Sequence, residues 1–167
     1  MNTTTIPQSE FEERIKQFQL NIKKEGLDAC LVHGTESDTA HVRYLSEYWP
    51  VFEAAGVFVP TEGEPVLLVG PESELYASKR SFFKNIERVQ EYRESAEPDN
   101  PGMTFMSFDK LVKKYIPKGL KKIGLVGSAI TSLPVYLALK EQLPSMELVK
   151  ADMTLWPLRY VKTENEL

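Results

Sequence analysis

AAGVFVPTEGEPVLLVG, residues 54–70, holds the reading on which the fold turns. Two apolar runs, 57–60 and 66–69, flank a short polar loop that carries a glycine. Strand, glycine-bearing turn and strand at this spacing predict an antiparallel hairpin. The segments on either side follow another rhythm, in which strands alternate with helices. That alternation predicts an α/β layer fold, and the hairpin makes its sheet mixed rather than parallel.

Upstream, SEFEERIKQFQLNIKKEG (9–26) places Phe11, Ile15, Phe18 and Ile22 on one helical stripe. Ser9 and Glu12 have the spacing of a capping box, and Gly26 stands where the helix should stop. LDACLVHG (27–34) is a glycine-bounded apolar run, hence a buried strand. Residues 36–52, ESDTAHVRYLSEYWPVF, form a polar, then aromatic connection with a helical turn around residues 39–46.

Downstream, PESELYASKRSF (71–82) has Pro71 and Glu72 at its start and Lys79 and Arg80 at its end, the polarity of a helix. IERVQEYRE (86–94) reads as an edge strand, and SAEPDNPGM (95–103) as a loop. A helix over SFDKLVKKYI, a strand over KKIGLVG, a helix over TSLPVYLALKEQL and a strand over MELVKA complete the pattern. The fold class expected is α/β: a mixed sheet of about six strands with flanking helices. The boundaries expected are a disordered tail over 1–8, one domain over 9–150, and a connector over 151–167 that opens the next domain.

The totals narrow the function classes. At 167 residues, 42% hydrophobic and 26% charged, the chain is long enough for its own core. A net charge of −4 argues against a nucleic-acid or anionic-membrane surface as the main partner. One cysteine, Cys30, rules out an internal disulfide and fits a reducing compartment. The start, MNTTTIPQSE, lacks a signal-peptide pattern, and no apolar run reaches the roughly 20 residues of a membrane helix. A cytoplasmic protein is expected.

Several motifs have simpler readings than catalysis. His33 ends a buried strand and reads as structural; His41 lies in the connection and reads as solvated, with ligand contact as the alternative. The two show no metal-binding spacing. Glu10, Glu12 and Glu13 suit a helix start, while Glu91, Glu94, Glu97 and Asp99 sit in polar surroundings without an apolar pocket to raise a pKa. GLVGSAITS (124–132) occupies the place of a phosphate loop but meets no fingerprint. The lysines of KKYIPKGLKK (113–122) suit a helix end and a solvated strand entrance.

RYLSEYWPVFE (43–53) is different. It crowds Arg43, Tyr44, Tyr48, Trp49 and Phe52 into one connection. Tyr44 and Phe52 are the rings expected in the core. Tyr, Trp and Arg are also the residues enriched at interfaces and pockets, so packing and assembly both remain open. With His41, these five are the candidate substrate-entrance or subunit-interface residues.

Taken in order, the motifs resemble the N-terminal domain of the creatinase/prolidase/aminopeptidase P family. FEERIKQFQLNIKKEGLDACLV (11–32) opens the resemblance, and VRYLSEYW (42–49) is similar to the family's N-x-x-Y-L-[ST]-G segment. GEPVLLVG (63–70) and LRYVKTENEL (158–167) complete it, the latter similar to the R-x-x-K-[ST]-x-x-E-[IL] junction. His41 replaces the frequent Asn, and Glu47 the frequent Gly. The EYWPVFEAAGVFVP continuation is closer to creatinase-like and aminopeptidase-like members than to prolidases.

The resemblance implies a ribonuclease H-like domain without catalytic residues or metal ligands of its own. It implies a following catalytic domain that holds a pair of divalent metals, such as Mn or Co, in peptidase members. It also implies a homodimer in which this domain helps to shape the active-site entrance. The ending agrees, because Thr163 and Glu166 write a helix-opening capping box with only Leu167 after it. A longer parent hydrolase is therefore expected, with these 167 residues inactive alone. The alternative is a stand-alone peptide- or protein-binding module of the same fold.

Overall fold

The computed structural model describes residues 6–167, so residues 1–5 of the expected tail lie outside the described residues. Helix α1 (Gln8–Lys24) already begins at Gln8, with Pro7 in extended conformation before it. The Ser9–Glu12 capping box therefore does not form: Ser9 lies inside the first turn, and Glu12 instead accepts a hydrogen bond from the Gln8 amide at 2.9 Å. At the other end Leu27 N–H bonds Ile22 O and Gly26 N–H bonds Lys23 O, with Gly26 at φ +66°. That is a Schellman stop, and it uses the left-handed freedom of glycine.

The sheet has the order β4-β3-β2-β1-β5-β6. Its central strands are β1 (Ala29–Gly34), β2 (Ala55–Pro60) and β3 (Val66–Val69), all buried throughout. β2 runs antiparallel to both neighbours, pairing Val32 with Val57 and Phe58 with Val66. This is the expected hairpin, with Gly63 at φ +102° in its loop. The edge strand β4 (Ile86–Arg88) lies parallel to β3, whereas β5 (Lys122–Val126) and β6 (Glu147–Lys150) continue parallel from β1. The result is the mixed six-stranded sheet expected. The predicted edge strand is short, because a 3-10 turn takes over at Gln90–Tyr92.

Alternation along each strand divides the core into two layers. Cys30, Val32, Val57, Val59, Leu67 and Val69 face one side, with Phe18 and Ile22 of α1. Helices α2 (Ala40–Ser46) and α3 (Glu74–Arg80) add Leu45 and Ala77 to this layer. Leu31, Phe58, Leu68 and Ile123 face the other side, under α4 (Phe108–Tyr115) and α5 (Leu133–Gln142). Burial on both faces explains why the central strands read as continuous apolar runs.

One boundary needs correction. The segment expected to be a connector from residue 151 folds as α6 (Asp152–Tyr160). Leu155 is fully buried in the first layer, and the Asn21 amide of α1 donates to Thr154 O at 2.9 Å. Helix α6 thus belongs to the packed body of the domain. Beyond it, Glu164–Glu166 forms one 3-10 turn, in which Glu166 accepts from Thr163 N–H at 3.1 Å.

Candidate functional site

Helix α2 ends where Glu47 turns left-handed, φ 60°, while its N–H still bonds Arg43 O at 2.8 Å. A side chain in this conformation costs about 1–2 kcal/mol, which is why glycine is favoured at such helix ends. The turn redirects the chain, and the next residues are anchored at two points. Tyr48 is fully buried against Tyr76, ring centroids 5.7 Å apart. Five residues on, the buried Glu53 carboxylate accepts from the Ser73 hydroxyl at 2.5 Å and from Glu72 N–H at 3.3 Å. Burial raises the pKa of Glu53.

Between these anchors Trp49, Pro50, Val51 and Phe52 form a short, held loop. Val51 is 53% exposed and Phe52 47%. The Trp49 ring lies under Arg43 at 4.5 Å and within 5.7 Å of Arg80, so two guanidinium groups contact it. Such contacts contribute about 0.5–1 kcal/mol each at exposed sites and fix the ring's orientation.

The structure thus revises the expected roles of the aromatic residues. Tyr48 is core and cannot touch a partner, whereas Phe52, expected in the core, faces solvent. Tyr44 is half-buried, packs against the first layer, and donates its hydroxyl to Leu158 O at 2.9 Å. His41, expected to be solvated, is buried instead. Its ring nitrogens stand 3.3 Å from Trp156 Nε1 and 2.6 Å from Arg159 Nη1. Burial first, and then Arg159, lower its pKa. Arg43 and Trp49 are thus in contact and Phe52 is exposed three residues on, whereas His41 and Tyr48 are buried and Tyr44 is half-buried.

Arg80, Trp156 and Arg159 were not apparent as neighbours of this segment. Arg80 carries a legible signal as a helix-end cation, but nothing local links it to Trp49. The remaining motifs keep their simpler readings. In the 124–132 loop the N–H groups of Gly127 and Ser128 and the Ser128 hydroxyl all donate to Asp152. An internal carboxylate occupies the place an external anion would take. Cys30 is buried, and desolvation pushes its thiol up to about 12, far from reactivity. His33 bonds the Tyr92 hydroxyl at 3.2 Å inside the second layer. Among the described residues no group of three or more His, Cys, Asp and Glu side chains could hold a metal ion. The described residues therefore offer no ligand set for a divalent pair. Nor is any helix among them long and apolar enough to cross a membrane.

Comparison with curated proteins finds no match. The prolidase from Pyrococcus horikoshii OT3 has a similar structure, with a TM-score of 0.64 at 20% identity, over 92% of this chain and 37% of that one. The N-terminal domain of the cytoplasmic peptidase PepQ from Mycobacterium tuberculosis H37Rv gives 0.64 at 21% identity, over 88% and 98%. An aminopeptidase P from Streptococcus thermophilus gives 0.60 at 21%, over 89% and 98%. These likenesses establish the fold, and the chain spans little more than a third of the Pyrococcus enzyme. The family model of the Creatinase/Prolidase N-terminal domain matches residues 14–161. With nearly its whole length inside that match, the chain belongs to the creatinase/prolidase N-terminal domain family.

Proposed function

We propose that this domain is the non-catalytic N-terminal part of a metal-dependent Xaa-Pro peptidase or creatinase-like hydrolase, where it serves dimer assembly and shapes the active-site entrance. The observation that carries the proposal is the held loop in which Trp49 contacts Arg43 and Arg80 and the next apolar residues, Val51 and Phe52, are exposed. Trp and Arg are the residues that dominate binding energy at interfaces, and a loop anchored by Tyr48 and Glu53 loses little entropy on docking. The similarity to prolidase and aminopeptidase P structures supports the choice of parent enzyme. The catalytic metals belong to another domain in this reading, and the partners are that domain and a second subunit.

The test is made on the product as its native cell synthesises it. A mass well above 19.0 kDa, with metal-dependent cleavage of Xaa-Pro peptides or hydrolysis of creatine, is expected. In that protein Trp49→Ala and Phe52→Asp should each weaken dimerisation by about 30-fold, corresponding to some 2 kcal/mol. Sedimentation equilibrium reads this directly. A 19.0 kDa product without hydrolase activity overturns the parentage. Unchanged dimerisation and kcat/KM in both variants overturn the role of the loop.

A further inference from the structure

The contacts of His41 cannot all be satisfied at once. Its ring is only 6% exposed, yet both nitrogens face groups that only donate, the indole N–H of Trp156 and the guanidinium of Arg159. A neutral imidazole has one lone pair to offer. The 2.6 Å charge-assisted contact takes it, so Nδ1 accepts from Arg159 and the ring proton sits on Nε2, opposite the indole N–H at 3.3 Å. A second proton would leave no acceptor at all and would set imidazolium against guanidinium.

The charges around the ring decide how it responds. Asp38 and Asp152 favour the protonated form; burial and Arg159 oppose it, and Lys162 adds positive charge to the same open pocket. The Tyr160 phenol also lines that pocket. On the facing α1 helix, Arg14 is already engaged by Glu10 and Glu166. Arg159 itself has no carboxylate within ion-pair distance among the described residues, so His41 is its side-chain anchor. The chain beyond is tied separately, since the Thr163 hydroxyl and the Asn165 amide both donate to Glu10 at 2.8 Å.

We propose that His41 is a proton-operated latch on the end of α6. Neutral, it holds Arg159; protonated, it releases the stretch from Trp156 to Lys162, while residues 163–166 stay tied to α1. The consequence is a span at the end of α6, pinned at both ends, that is loosened by acid at the cost of the Tyr44–Leu158 hydrogen bond and closed at neutral pH.

The experiment is an NMR pH titration of the chain from 7.5 to 5, following the His41 ring, the Trp156 indole N–H and amide exchange over residues 156–162. Opening should increase by up to about tenfold per pH unit below 6.5, in step with the His41 ring signal, after correction for intrinsic exchange. Amides of α1 should not follow. His41→Asn should abolish the pH response, and His33→Gln should leave it intact. Arg159→Gln should move the His41 titration upward, because a repelling cation is gone. Persistence of the response in His41→Asn overturns the proposal, as does a His41 titration that leaves the indole and these amides unmoved. If His41→Asn does not fold, the wild-type titration and Arg159→Gln still decide.

Discussion

Acid should destabilise this domain through His33 as the pH falls below about 6.5. The ring is 2% exposed in the second layer, its Nδ1 bonded to the Tyr92 hydroxyl and its Nε2 without a partner among the described residues. Burial lowers its pKa to about 3, and the distant Asp152 charge only partly opposes this. In the unfolded chain the same group titrates near 6.5. Between these values the unfolded state binds the proton and the native state does not, so stability falls as pH falls. The His33 contribution is intact above about pH 6.5 and is lost at about 1.4 kcal/mol per unit below it. That amounts to about 2 kcal/mol by pH 5, a large share of the 5–15 kcal/mol typical of a domain. Urea unfolding at half-unit steps from pH 8 to 5 reads the slope. His33→Gln should lose this part of the slope, and adding His41→Asn should flatten it further. Glu53, with its raised pKa, contributes with the opposite sign, so the His33 share is read as the difference in slope between the wild type and His33→Gln. An unchanged slope in His33→Gln, or a His33 ring that titrates near 6.5 in the folded protein, refutes the reasoning.

Two further outcomes follow from the packing. Gly70→Ala would drive a Cβ into the Glu53 carboxylate, so the anchor of the 49–52 loop must shift; a loss of about 1–3 kcal/mol is expected by thermal unfolding, accompanied by weakening of the proposed dimer. Arg14→Lys keeps the charge but loses the stack on Tyr44 at 4.3 Å and the forked bonds to Tyr44 O and Glu10; it should cost about 2 kcal/mol and raise amide exchange over 163–166, whereas the exposed Lys16→Ala should do neither.

What the sequence made legible was whatever repeats locally. The stripe of α1, the buried runs of β1–β3 and the hairpin between β2 and β3 follow from periodicity and turn chemistry, and these decide the fold. The aromatic segment misled because the left-handed turn at Glu47 restarts the phase of burial, so Tyr48 goes in and Phe52 comes out. Helix α6 was obscured by Pro157 and by an exposed apolar face of Met153, Trp156 and Tyr160, a pattern that does not resemble an ordinary amphipathic helix. The partners of His41 lie 115 and 118 residues away, a distance at which no local pattern speaks. Arg14 shows the limit most clearly. Taken alone, it belongs to the polar face of α1; in the folded chain it is 6% exposed, covered by Tyr44 and by the last turn. The Glu166 that completes the capping box with Thr163 also stands 3.4 Å from Arg14, so one residue both starts a helical turn and ties that turn to the domain. A capping box is legible as three-residue spacing, but its second use is not, because that use depends on α1 and α6 having already brought the two ends of the chain together.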